Sequence, residues 1–249
     1  MILEVNHLSA KYQNSEKMVL NSVSFLLEKG KKLGIVGESG SGKSTLTRIL
    51  AGFHPYVSGK VYVENRMVKA SIKDRNWLSK KMQLIFQNPL SSLDPRQTVR
   101  QILEEPLVNF SSLSAKERKQ KINAILKEVN LQTNILEKRS AALSGGQAQR
   151  ICIARSLLAN PEILICDEPV TSLDMTTQIK IIQLLKNLVE EKKLSIIFVS
   201  HDISLVLELC DEVLVLKEGR TVDYFAAKEW GNVERHPYTK ELIESTKII

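Results

Sequence analysis

Gly37-Glu38-Ser39-Gly40-Ser41-Gly42-Lys43-Ser44 fits the pattern GxxxxGK[ST], and its flanks decide the fold. Ahead of it runs the short apolar stretch Lys32–Val36, read as a strand; behind it residues 43–51 turn helical. A glycine-rich turn between a strand and a helix lets backbone amides point inward around phosphate oxygens. The helix amino-terminus adds a partial positive charge. Lys43 is placed to reach the β- and γ-phosphates of a nucleoside triphosphate, Ser44 to ligate Mg²⁺ and Thr45 to touch the α-phosphate.

The second acidic half of such a site lies far along the chain. Ile163-Leu164-Ile165-Cys166-Asp167-Glu168 reads as a buried strand ending in two acids. Asp167 there is placed to hold Mg²⁺, and Glu168, one residue on, to polarise an attacking water. Between loop and acids stands Leu143-Ser144-Gly145-Gly146-Gln147, followed by the helical run Ala148–Leu158. Ser144 is a good helix N-cap, and the glycines expose backbone N–H groups, so this is a second helix start suited to an anion.

Around these motifs the chain alternates. Ile2–Val5 and Val19–Leu27 alternate apolar and polar residues as early strands do, and Val61–Val63 and Met82–Phe86 read as further strands. From Thr98 to about Leu158 the apolar spacing is helical, as in Val99, Ile102 and Leu103. After Pro161 buried strands return at Ile163–Cys166, Ser195–Val199 and Val213–Leu216, separated by helices at 175–191 and 202–209. Short apolar strands alternating with helices imply a parallel sheet carrying helices on its faces. The expected division is a nucleotide-binding core of 1–87 and 161–249 interrupted by a helical subdomain of 88–160, all within one domain of 249 residues.

Composition fits a soluble globular chain, at 43% hydrophobic and 25% charged residues. No apolar run approaches the length of a bilayer span, and Met1-Ile2-Leu3-Glu4-Val5 has no basic-then-apolar leader pattern. The net charge of +7 suits a polyanionic ligand or an anionic membrane surface, although solvated faces such as Lys116-Glu117-Arg118-Lys119 account for most of it. Cys152, Cys166 and Cys210 lack paired spacing and read as small core residues of a reducing cytosol.

The phosphate loop, the Leu143–Gln147 motif and the Asp167-Glu168 pair together resemble the ATP-binding-cassette (ABC) ATPases over essentially the whole chain. That resemblance implies a P-loop ABC cassette: an α/β fold whose mixed sheet core has early antiparallel strands and an inserted helical subdomain. It implies ATP and Mg²⁺ as ligands, with residues 37–45 on the phosphates and Tyr12 stacked on adenine. Gln87, after the strand Leu84-Ile85-Phe86, matches the family's Q-loop and would touch Mg²⁺ and water. His201 matches the switch histidine at the γ-phosphate. Leu143–Gln147 would clamp the nucleotide held by an opposite subunit, and Asp174 of Thr171-Ser172-Leu173-Asp174 would line the same seam. The family pattern at this loop is usually Ser-Ala-Leu-Asp, from which Ser172-Leu173-Asp174 keeps the acid, and a polar or basic residue is common where Ala148 stands; no catalytic position departs.

Two further segments resemble the ATPase subunits of peptide/nickel importers: Phe86-Gln87-Asn88-Pro89-Leu90-Ser91-Ser92-Leu93-Asp94-Pro95-Arg96 and Arg235-His236-Pro237-Tyr238-Thr239-Lys240-Glu241-Leu242. The stop at Ile249 without clustered cysteines resembles the nickel or metal–metallophore branch, with oligopeptide or dipeptide import as the alternative and a soluble, non-transport ABC ATPase as a third reading. The importer resemblance implies a second ATPase of a different chain, two membrane permeases near Gln87 and an extracytoplasmic substrate-binding protein, at the cytoplasmic face of the cell membrane. No arginine-rich aromatic patch suggests nucleic acid.

Overall fold

The computed structural model describes residues 1–12, 16–69, 72–231 and 234–245. In chain order the elements are β1 (Leu3–Lys11), β2 (Met18–Leu27), β3 (Lys32–Val36), α1 (Lys43–Leu50), β4 (Ser58–Val63), β5 (Arg66–Met67), α2 (Ile72–Lys81) and β6 (Met82–Ile85). There follow α3 (Val99–Phe110), α4 (Ala115–Glu128), α5 (Gly145–Leu158), β7 (Ile163–Asp167), α6 (Met175–Lys192), β8 (Ser195–Ser200), α7 (Ile203–Leu209), β9 (Glu212–Lys217), β10 (Arg220–Ala226) and α8 (Pro237–Ser245). They form two compact units, Met1–Ser79 with Leu194–Ile249, and Lys80–Lys193.

In the first unit β2, β1, β4 and β5 lie side by side in an antiparallel sheet, as the early alternating runs predict. Strand β1 runs on well past Val5. Its register shifts beyond Val5, with His7 at φ 48°, and Leu8, Ser9 and Ala10 are then buried in succession. Such a bulge breaks the two-residue period, which is why the alternation stops early in the sequence. The same unit holds a mixed sheet in the order β10-β9-β3-β8, in which β3 pairs parallel with both β8 and β9 and β10 pairs antiparallel with β9. Every residue of β8, and four of five in β3, is buried, the pattern of strands covered on both faces. Strand β10 and helix α2 had no periodic signal: Arg-Thr-Val-Asp-Tyr-Phe-Ala is half-exposed at a sheet edge, and α2 is polar around most of its circumference.

In the second unit β6 and β7 pair in parallel, Met82 with Ile163 through Ile85 with Cys166. Helices α3, α4 and α5 each start on a capping box, Thr98 with Gln101, Ser114 with Glu117 and Ser144 with Gln147, in which side chain and backbone satisfy each other's first-turn groups. The helical spacing of Val99, Ile102 and Leu103 is a core face, since all three are buried. Cys152, Cys166 and Cys210 are buried and belong to no disulfide. Burial pushes the Cys152 and Cys210 thiols up, away from the reactive thiolate.

Close packing tightens at one position. A Cβ on Gly34 of β3 would lie 2.0 Å from Val206 Cγ1 of α7, so strand and helix meet where only a hydrogen fits. Gly34→Ala is expected to cost about 1–3 kcal/mol of stability through overpacking. Urea unfolding should show the midpoint falling at an unchanged slope.

Candidate functional site

The first unit carries the phosphate loop. Strand β3 delivers the chain at Val36, residues 37–42 turn, and α1 begins at Lys43. The turn into the helix needs Gly42: it is the N-cap in a left-handed conformation, φ 103°, and a Cβ there would lie 2.9 Å from the Val19 carbonyl oxygen. No side chain caps α1. Lys43 is 5% exposed, and its Nζ donates to the carbonyls of Gly37 (2.7 Å) and Glu38 (2.8 Å), with Ser41 Oγ at 3.5 Å. A buried ammonium is costly unless hydrogen-bonded, and here the loop's own carbonyls offset that cost. An uncapped helix start and a positive charge held against a glycine loop fit an oligophosphate.

Register fixes what else lies at that edge. Strands β3 and β8 pair in parallel with Val36 opposite Ser200, so Gly37 and His201 leave their strands at one level. Outside the carboxyl ends of parallel strands is where α/β sheets bind ligands. His201 is exposed, and the following Asp202 caps α7 by accepting from Ser204 N at 2.9 Å. Tyr12 is 45% exposed; its hydroxyl lies 3.0 Å from Thr45 Oγ1, and its ring meets His54 edge-on at 5.2 Å. The structure therefore joins Tyr12 to the first turn of α1.

The second unit carries the acids. All of β7 is buried, and Asp167, its last residue, is 6% exposed. Because Ile85 stands opposite Cys166, Gln87 and Glu168 each lie two residues past that pair. Gln87 Nε2 donates to Glu168 Oε2 at 2.9 Å, so two residues singled out in the sequence 81 positions apart are in direct contact. Thr171 Oγ1 donates to the same oxygen at 3.2 Å. Thr171 was read only as part of the Asp174 loop; a hydroxyl three residues past the acid is the signal that could have marked it. Glu168 sits at φ 48°, a left-handed conformation that costs a non-glycine residue about 1 kcal/mol or more and aims its carboxylate off the strand end.

The Leu143–Gln147 motif lies in the same unit. Ser144 caps α5: its Oγ accepts from Gln147 N at 3.3 Å, and Gln147 Oε1 accepts from Ser144 N at 3.2 Å. Leu143 is buried and Ser144 exposed. Asp174 caps α6, with Oδ1 accepting from Thr177 N at 3.0 Å. Hydrogen bonds from Thr177 hold the Asp174 carboxyl below the usual carboxylate range.

Comparison with known proteins places this geometry. The family model described as ABC transporter matches residues 20–171. The chain belongs to the ABC transporter family. Among curated relatives, the dipeptide transport ATP-binding protein DppF of Escherichia coli is 42% identical over 228 residues, 91% of this chain and 68% of the relative. The oligopeptide transport ATP-binding protein OppF of Haemophilus influenzae is 40% identical over 261 aligned residues, 100% of this chain and 79% of the relative. A solved dimeric ATP-binding cassette, MJ0796, in a post-hydrolysis state with ADP and Pi, superposes with a TM-score of 0.81 at 30% identity, covering 91% of this chain and 99% of that one. The fold is thus the ABC cassette, and the chain is an ATPase whose hydrolysis drives transport.

A carboxyl held low in the fold stabilises it at pH above the ordinary carboxylate range, and that contribution disappears as pH falls through the lowered value. Asp174→Ala is therefore expected to be less stable than wild type at pH 7, with the gap narrowing below about pH 4. Urea midpoints at both pH values check it.

Proposed function

We propose that this chain is the ATP-hydrolysing subunit of a peptide importer. The observation that carries the cargo class is the likeness to dipeptide and oligopeptide transport ATP-binding proteins over 91% and 100% of the chain. They support peptide import, held as the alternative on sequence, better than the nickel or metal–metallophore reading. That reading rested on where the tail ends; residues 246–249 lie outside the described residues.

In this reading Lys43 holds the phosphate chain, and Glu168 is the general base that takes a proton from the attacking water. Gln87 and Thr171 orient the Glu168 carboxylate by donating to Oε2. Tyr12 stacks on adenine, residues 37–45 cradle phosphates, and His201 donates to the terminal phosphate. The hydroxyl of Ser44, the amide oxygen of Gln87 and the carboxylate of Asp167 are oxygen donors of the kind a hard cation takes, so they fit Mg²⁺. When bound, that ion neutralises charge on the phosphate oxygens.

The dimer belongs to the same proposal. Leu143, Ser144, Gly145, Gly146 and Gln147 would close on nucleotide held by a second ATPase, with Asp174 at the seam. Met175 and Ile179, one turn apart and 78% and 66% exposed, offer apolar surface beside Asp174. The division into a core of 1–87 and 161–249 and a helical subdomain of 88–160 is the functional one this mechanism needs. Within the second unit the segment after Gln87 is tied to the segment before Ser144: Ser140 Oγ donates to the Asp94 carbonyl at 2.7 Å, and Val99 N to the Lys138 carbonyl at 2.9 Å. Motion at Gln87 would reach the Leu143–Gln147 motif through these bonds. Leu90, 46% exposed just past Gln87, suits contact with a permease. Two permeases and an extracytoplasmic binding protein complete the system. Among the described residues no helix is long and apolar enough to cross a membrane, which agrees with peripheral attachment at the cytoplasmic face.

Two measurements test this. Glu168→Gln keeps the hydrogen-bonding shape but not the base, so steady-state hydrolysis should drop by about 10²–10⁴-fold while ATP binding persists and the dimer is trapped. A wild-type rate would sink the assignment of the base. In cells carrying Lys43→Ala, uptake of a labelled dipeptide should be lost with nickel uptake intact. Loss of nickel uptake alone would restore the metal reading, and loss of neither would remove both.

A further inference from the structure

We propose that Tyr238, in the first turn of α8, is a positioning residue for Lys43: its hydroxyl fixes the peptide unit on which the lysine ammonium rests. The Glu38 backbone N–H donates to Tyr238 Oη at 2.9 Å, across 200 residues of sequence. Lys43 Nζ donates to the Gly37 carbonyl at 2.7 Å. The Gly37 carbonyl and the Glu38 amide are the two ends of one planar trans peptide, so they point in opposite directions. That single unit is therefore pinned from outside by a tyrosine and from inside by the lysine. Rotating it would withdraw the carbonyl from the ammonium and break both bonds together. In series the two bonds also polarise one another, ammonium to carbonyl and amide to phenol oxygen.

The tyrosine is itself held in place. It is 2% exposed, and the Lys217 ammonium lies 4.4 Å from its ring centroid. Its backbone N donates to His236 Nδ1 at 3.2 Å, and His236 N donates to Asp223 Oδ2 at 3.2 Å. Arg235 stands 3.5 Å from Asp223 and stacks over Phe225 at 4.0 Å. Asp223 and Phe225 belong to β10, so Arg235-His236-Pro237-Tyr238 is a bracket fastened to that strand and aimed at the phosphate loop. A tyrosine needed only to fill the core could be phenylalanine; the Glu38 bond is what uses its oxygen.

Tyr238→Phe removes that oxygen and keeps the ring. The inference concerns ATP hydrolysis and is independent of the cargo. In the assembled transporter the KM for ATP should rise about fivefold, the equivalent of one hydrogen bond, with kcat within about twofold and the nucleotide-free melting temperature close to wild type. In the full chain, titration with MgATP should give the same loss of affinity for Tyr238→Phe, and on a Lys43→Ala background the substitution should add nothing. An unchanged KM would overturn the proposal. So would an equal loss of affinity on both backgrounds, which would mean that Tyr238 acts through the fold and not through Lys43.

Discussion

Parallel pairing sets the level at which chemistry sits in each unit. With Val36 opposite Ser200, the next residues are Gly37 and His201; with Ile85 opposite Cys166, two residues on are Gln87 and Glu168. These strands are buried on both faces, so along their length they tolerate apolar side chains and little else. Charge can enter only where a strand ends, and Asp167 and Glu168 follow four buried apolar residues. A one-residue slip in β6 against β7 would separate Gln87 from Glu168 and turn the alternation of the strand over.

The rigid cores on either side sustain local costs at those ends. Lys43 is an ammonium at 5% exposure, and the hydrogen bonds it gives to the loop carbonyls help make that tolerable. Glu168 keeps a left-handed backbone that most residues avoid. Neither feature would persist in a loop free to relax. Both do because the strands before and the helices after over-determine the turn between them.

What was legible in the sequence was what is local. The phosphate loop, the Ser144 cap and the acids at the end of β7 each depend on a few consecutive residues, and the structure has each in the predicted element. The bulged half of β1 was hidden because three consecutive buried residues mimic no period. Tyr238 was seen as part of a motif but not as a partner of the phosphate loop, since nothing within its own neighbourhood points to Glu38. The sequence put metal import ahead of peptide import for a different reason: the residues it singles out are expected to meet nucleotide, a cation, water or a helix end, and none of them discriminates one transported solute from another.

The Leu143–Gln147 motif shows how one residue type can answer two constraints. A Cβ on Gly145 would meet Leu173 Cδ2 at 3.1 Å, and one on Gly146 would meet Thr177 Cγ2 at 2.8 Å. The start of α5 is thus packed closely on Leu173 and on Thr177 in the first turn of α6. Two helix amino-termini side by side bring two partial positive charges together. Asp174 answers this: it caps α6 through Thr177, the residue a side chain at 146 would meet, and hydrogen bonding there holds its carboxyl below the usual carboxylate range. Packing within this chain alone therefore favours glycine at 146, where a Cβ would force Thr177 to shift, and more weakly at 145, where the end of the Leu173 side chain could give way. The same absence of side chains leaves no Cβ over the first backbone N–H groups of α5, the arrangement by which a helix start can receive an anion, so the packing constraint and the proposed contact with nucleotide fall on the same two residues.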